Sequence, residues 1–567
     1  MTHADLLIEN AVVRTLDGAS TVHEAIAIAE DRIVAAGTTN ELRDAVTAAA
    51  TVDAGGRTVL PGLVDGHAHL DREGLRSVYP SLAGARSIDE VLSIIAGLVA
   101  AAAPGEWIVT MPLGEPPFYR GLPGALRENR WPTRHDLDRV SPQNPVYIRA
   151  IWGYWRHELP LVSIANSAAL AAAGIDRFTT APWSGITIEL DAAGEPTGVF
   201  VEQTPVPTVE LTLMAAAPRF TAADRLAALP ESMAAYAATG TTSTFEAHGV
   251  AGEVLDAYRA LRTSDGMTVR STLAISPSWS STAGPLESLD GDWGSAIAGP
   301  GAGDDWLRVA GFFLEPHQSA EDALRSAAMP YTGWAGFSSD AGMDPAIVER
   351  ALLVAARRGI RVVLMGTELL DTLERVDRVT PIARLRWVIG HISTLTAAQI
   401  AVVARLGLCV TTHTNRYLYK QSEALAAELG QHREHELVPL RSLLEAGVPV
   451  SFGTDNVPTS LWNPIWHAVA REGRETGRVV GAAERLTREQ ALRIATAGGA
   501  HLTCTEQSTG TLEVGRWADL TVLSADPLTV PLDELAGITS ELTLTGGRTA
   551  HSSGALGGHP TQPSLGA

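Results

Sequence analysis

Between residues 221 and 455 one pattern recurs. A helical segment stops at a glycine, and a short buried-looking run follows at once. Asp344-Pro345 fits an N-cap and first turn, its helix stops at Gly359, and 360–365 follows. Thr396-x-x-Gln399 is a capping box whose helix stops at Gly407 before 408–413. A helix over 439–446 stops at Gly447 before 448–455, and one from Thr221 ends at Gly240 before 241–246. The runs are continuous rather than alternating, as parallel strands covered on both faces should be. Helix–glycine–strand units in series predict an α/β fold, a (β/α)8 TIM-type barrel. Eight strands are expected, at 63–70, 241–246, 269–276, 307–315, 360–365, 387–391, 408–413 and 448–455.

About 165 residues separate the first strand from the second, too many for one loop. That insertion, 75–235, carries a helix opened by Ser87-x-x-Glu90, strand candidates at 107–111 and 146–151, and an aromatic-rich segment. Both chain ends read as short strands: 5–10 and 25–29 at the start, and 510–514, 520–523 and 540–545 at the end. The expected organisation is therefore a small β-sandwich domain built from 1–62 and 505–567, flanking a barrel over 63–504.

The net charge of −21 argues against nucleic-acid binding and against anionic membranes. With two cysteines, Cys409 and Cys504, the chain is neither a disulfide scaffold nor a cysteine metal site. Acidic residues stand where a secretory signal would be basic, and apolar stretches such as 94–103 are about half a bilayer span. A soluble cytoplasmic protein is expected.

In a barrel the chemistry lies where strands end at the C-terminal face. The first strand ends in His67-Ala-His69, two histidines whose spacing puts both on one face of a strand. Two neutral imidazoles so placed can bind one divalent metal. The sixth strand ends in Gly390-His391 and the eighth in Gly453-Thr454-Asp455. Ligands that lower the pKa of a water, with a carboxylate to take its proton, are what metal-activated hydrolysis needs.

Pro61-Gly-Leu-Val-Asp-Gly-His67-Ala-His69, Gly453-Thr-Asp455 and Gly510-Thr-Leu-Glu-Val-Gly-Arg-Trp-Ala-Asp resemble the motifs of the amidohydrolase superfamily. Asn166-Ser167, Glu195-Pro-Thr-Gly-Val and Asn463-Pro464 resemble the branch that includes N-substituted formamide deformylase. The resemblance implies that Asp455 ligates metal and shuttles a proton, and that the protein is a homodimer. It also implies a bridging lysine on the fourth strand and a histidine ending the fifth. This chain has Phe312 or Phe313 and Met365 there. One metal per chain is therefore expected, Zn²⁺ above all, on His67, His69 and Asp455, with His391 either a ligand or a hydrogen-bond donor to the substrate. Glu246, His248, Glu315 and His317 are the remaining candidate ligands, each with an ordinary alternative as a loop residue. His413 either lines the pocket or is a buried satisfied histidine. Arg416 follows it in the next loop as a candidate substrate contact, and Trp152, Tyr154 and Trp155 form either a substrate wall or domain packing.

The function these features predict is hydrolysis of a non-peptide C–N bond (amide, formamide, carbamate or cyclic amide) in a small molecule with an apolar or aromatic portion. A deaminase or decarboxylase on the same scaffold, or a non-catalytic ligand-binding descendant, are the alternatives.

Overall fold

The structure is a computed structural model that describes residues 2–116, 119–151, 159–204, 207–279, 284–291, 294–295, 297–317, 319–328 and 341–556. Contacts group the chain into two compact units, one of residues 1–70, 229–316 and 343–567, the other of 71–228 and 317–342.

The first unit contains the barrel. Its strands are β1 (Leu63–Asp65), β2 (Thr241–Val250), β3 (Arg270–Ile275), β4 (Leu307–Phe313), β5 (Val362–Met365), β6 (Val388–Gly390), β7 (Cys409–Thr412) and β8 (Val450–Phe452). They follow one another around the sheet in chain order, all parallel. Closure comes from the Gly66 N–H, which donates to Phe452 O at 2.8 Å. Each expected strand is present, though most stop short of the polar residues the sequence placed on them. His391 (φ 54°) and Asp455 (φ 54°) have left-handed backbone, which cannot continue an extended ladder. β2 runs longer than expected and carries Glu246 and His248 within it.

Caps set the helix boundaries. The Asp344 side chain accepts from the Ala346 N–H, and Gly359 closes that helix with φ 66°. Thr396 and Gln399 form both halves of their box. A buried apolar shell around the barrel, with Leu352, Val376, Trp387, Val403 and Leu443 at or near zero exposure, holds the helices to the strands. At about 25 cal/mol per Å² of apolar surface, such burial is the main stabilising term.

Both termini build the neighbouring sheets. Leu520–Leu523 pairs with Thr58–Pro61 in a six-stranded sheet that also holds Val12–Arg14, Val22–His23, Ser540–Thr545 and Arg548–Ser552. Thr2–Glu9, Ala25–Ala29, Arg32–Gly37 and Val46–Asp53 make a four-stranded sheet. Ile8, Val13, Ile26 and Val59 share one core with Leu520, Val522, Leu542 and Leu544, so neither end buries its apolar face alone. Residues 510–514, expected as a strand, form none. The Leu512 N–H donates to Thr15 O and its side chain is buried, which a turn beside the sheet achieves without a ladder.

The second unit has a five-stranded sheet, in the order Ile186–Leu190, Pro196–Glu202, Leu161–Ala165, Val146–Ile148, Ile108–Thr110. Ser87 caps its helix by accepting from the Glu90 N–H, but the Glu90 carboxylate accepts from the Arg86 N–H rather than completing a box. Asn166 caps the helix Ser167–Ala172 and also accepts from the Val146 N–H, which ties that helix to the sheet. Among the described residues, no helix is long and apolar enough to cross a membrane.

A candidate metal centre at the barrel mouth

Asp455 is the hub. One carboxylate oxygen, Oδ1, lies 2.7 Å from His69 Nε2 and 3.8 Å from His67 Nε2, while Oδ2 lies 3.1 Å from His413 Nδ1. His67 Nε2 is 3.2 Å from His391 Nε2. The ligand atoms of His67, His391 and Asp455 lie within 4.8 Å of one another, and so do those of His67, His69 and His248.

The two histidines of the first motif converge, but not by strand alternation. β1 stops at Asp65, and His67 and His69 lie in the turn beyond it, rings 5.3 Å apart at 84°. Other side chains hold that turn. Asp65 accepts from the His67 N–H at 3.0 Å and from the Thr454 N–H at 3.1 Å, joining the first and eighth strand ends. Asn456 clamps His69: its Oδ1 accepts from the His69 N–H at 3.1 Å and its Nδ2 donates to His69 O at 2.5 Å. The Tyr236 hydroxyl donates to the same Oδ1. Gly453 has to be glycine, since a Cβ there would sit 2.3 Å from the Cβ of His67.

The electrostatics favour metal ligation. Burial drives the His67 pKa well below its ordinary value, and neighbouring His391 adds to that, so its ring is neutral with a lone pair to offer. His391 is lowered too, first by burial and then by the Arg416 charge, with Asp455 opposing. Asp65 is pushed up to about 7 by burial against the hydrogen bonds from Thr454 and His67. Two neutral imidazole nitrogens facing each other beside a buried carboxylate share too few protons to satisfy one another; a divalent cation satisfies all of them.

The remaining candidates divide. His248 enters the cluster, its ring 5.9 Å from those of His67 and His69 and 5.7 Å from that of His391. Glu246 is held by protein donors: Oε1 accepts from the Leu70 N–H at 2.8 Å and from the Tyr258 hydroxyl at 2.9 Å, with Oε2 3.9 Å from His69 Nδ1. That distance is too long for a hydrogen bond, and Glu246 stays a candidate ligand, grouped with His69 among the described residues. Glu315 and His317 join none of the ligand groups formed by described residues. β4 has ended at Phe313 before Glu315, and His317 lies in the second unit beside Gly342. The Phe313 ring lies 4.6 Å from that of His248, tilted by 41°, whereas Phe312 packs on Trp279, so Phe313 is the β4 side chain that faces the histidines. Arg416 lies on the turn Asn415–Lys420, over the Tyr417 ring at 5.1 Å, with Nε donating to Gln421. Trp152, Tyr154 and Trp155 lie outside the described residues.

Sequence reasoning did not single out Asp65, Asn456, Tyr236 or Tyr258 as parts of the site. Asp65 and Asn456 adjoin motif residues and carried a signal by position. The two tyrosines come from the helices Ala222–Ala237 and Gly252–Thr263, where nothing local marks them.

Residues 50–551 match the amidohydrolase family. The chain belongs to that family. It is thus a hydrolase of the metal-dependent kind that acts on carbon–nitrogen bonds other than peptide bonds, and the resemblance read from the motifs is borne out. N-substituted formamide deformylase of Arthrobacter pascens is 29% identical over 574 residues, covering 94% of this chain and 95% of that protein. Protein LONG AFTER FAR-RED 3 of Arabidopsis thaliana is 25% identical over 554 residues, covering 92% and 88%. A crystal structure of an uncharacterized metal-dependent hydrolase from Pyrococcus furiosus shares the fold with a TM-score of 0.65 at 21% identity, covering 92% of this chain and 100% of that one.

Proposed function

We propose that this amidohydrolase cleaves the C–N bond of a small amide-type substrate (an N-substituted formamide, amide, carbamate or cyclic amide), using one divalent metal per chain, Zn²⁺ first. The observation that carries this is the Asp455 carboxylate, with His69 at 2.7 Å on one oxygen and His413 at 3.1 Å on the other, beside neutral His67. His67, His69 and Asp455 would hold the metal. Bound there, the ion supplies a Lewis acid that polarises the carbonyl and acidifies water.

The chain's own groups do the rest. Asp455 accepts a proton from the attacking water at a carboxylate oxygen. Water adds to the carbonyl carbon, the C–N bond breaks, and Asp455 returns the proton to the departing nitrogen. Neutral His391, half-buried at the mouth, carries one N–H to donate to the developing oxyanion. His413 Nδ1 lies 3.1 Å from the far oxygen of Asp455. Arg416 stands near enough to His391 to depress its pKa and offers a charge to the substrate's outer portion. The 29% identity to a formamide deformylase places N-formyl amines at the head of the panel.

The test is a panel of N-formyl amines, simple amides, carbamates and cyclic amides with zinc-loaded protein, beside Asp455→Asn. Turnover of at least one class, lost in the variant, supports the reading. Turnover retained in the variant contradicts it, as does activity confined to decarboxylation or deamination.

A further inference from the structure

Arg361 is 2% exposed and immediately precedes β5, at the barrel end opposite the histidine cluster. Its guanidinium lies 5.1 Å from the Phe245 ring of β2. β2 and β5 are separated in the sheet by β3 and β4, so this contact runs through the lumen. The Cys409 thiol of β7 contacts the same guanidinium; burial pushes that thiol up against the opposing charge and contact of Arg361, so the thiol stays neutral and brings no counter-charge. Gly311, at φ 98°, makes room: a Cβ there would lie 2.8 Å from the Arg361 Cβ. Nε donates to Arg386 O at 2.8 Å, while among the described residues the two terminal nitrogens face the neutral Cys409 thiol and no oxygen acceptor.

The other buried arginines of this unit show how a guanidinium is ordinarily satisfied. All three nitrogens of Arg471 donate to the carbonyls of Val480, Val438 and Leu437. Arg270 pairs with both oxygens of Asp519 and donates to Asp305 O. An isolated cation in a dry core is strongly disfavoured unless a counter-charge accompanies it. Along β7 the side chains of Cys409 and Thr411 share a face, and the Thr411 hydroxyl is buried without a hydrogen-bond partner among the described residues.

We infer that the barrel floor is a binding site for a small monovalent anion of the halide type, held by the Nη1 and Nη2 groups of Arg361 beneath the metal centre. Enclosure by Phe245 and Cys409 limits the ligand to a few ångströms, and the charge of Arg361 selects an anion over a neutral molecule.

The experiment uses the full chain and needs no substrate. Crystals grown in sodium bromide should show an anomalous peak within hydrogen-bonding distance of the Arg361 guanidinium. The thermal midpoint should rise by roughly 2–4 °C in saturating bromide relative to gluconate at equal ionic strength. Arg361→Met should abolish that halide dependence. Ordinary water at the guanidinium in bromide-grown crystals, or equal midpoints in the two salts, would overturn the inference. The wild-type measurements decide it even if the variant does not fold.

Discussion

Asn456→Ala removes the clamp on His69 without touching a ligand atom. The amide joins the His69 N–H, the His69 carbonyl and the Tyr236 hydroxyl, all buried. Alanine strands the His69 carbonyl and leaves the His69 N–H the Tyr236 hydroxyl at 3.4 Å, and a stranded buried polar group costs about 1–3 kcal/mol. The expected loss of stability is therefore about 1–3 kcal/mol, at the lower end if water enters the space left. His69 also loses its fixed position, and losing a partner that orients a ligand typically weakens metal affinity about 10–100-fold. Tyr236→Phe deletes one hydroxyl and should cost about 1 kcal/mol. The assay is competition for zinc against a chelator of known affinity, with thermal midpoints of the loaded and stripped protein measured alongside. Zinc affinity and midpoint both unchanged in Asn456→Ala would refute the reasoning, because the hydrogen bonds would then hold nothing in place.

Gly453→Ala should displace His67, whose Cβ the new methyl would meet at 2.3 Å, and reduce turnover by about 100-fold or more in a steady-state assay. Deleting residues 519–567 strips Val13 and Val59 of their partners Leu520, Val522 and Leu542, and the truncated chain should be insoluble on expression. Glu202 in the second unit is raised from 4.5 to about 7 by burial, which outweighs the hydrogen bonds from Thr208 and Val209. The native state therefore keeps a proton that the unfolded chain loses near 4.5, so this contribution to stability is complete below that pH and is lost as pH rises through about 7. Glu202→Gln should flatten the dependence of the urea midpoint on pH between those values; an unchanged slope would count against it.

The barrel was legible because its signals are local. Gly359, Gly407 and Gly447 close helices in the left-handed region, and the runs after them become β5, β7 and β8. The metal motif was legible as a set of residues, but its mechanics were not. The spacing of His67 and His69 suggested a strand face, whereas the structure uses a turn pinned by Asp65 and Asn456, contacts about 390 positions away in the chain. Such long-range hydrogen bonds leave no periodicity in the sequence. The same limit applies to Tyr236 and Tyr258, which reach the site from helices whose patterns report only which face is buried. Glu315 and His317 stand near a strand end in the sequence, but past Phe313 neither joins a ligand group among the described residues.

The central claim is a single metal centre built on His67, His69 and Asp455, with Phe313 and Met365 where a second centre would need ligands. Metal content per chain, measured by elemental analysis on protein saturated with zinc and then freed of loosely bound ions, tests it most directly. The account predicts close to one zinc per wild-type chain and almost none in His67→Ala. Two tightly held ions per chain, or an undiminished one in His67→Ala, would contradict it.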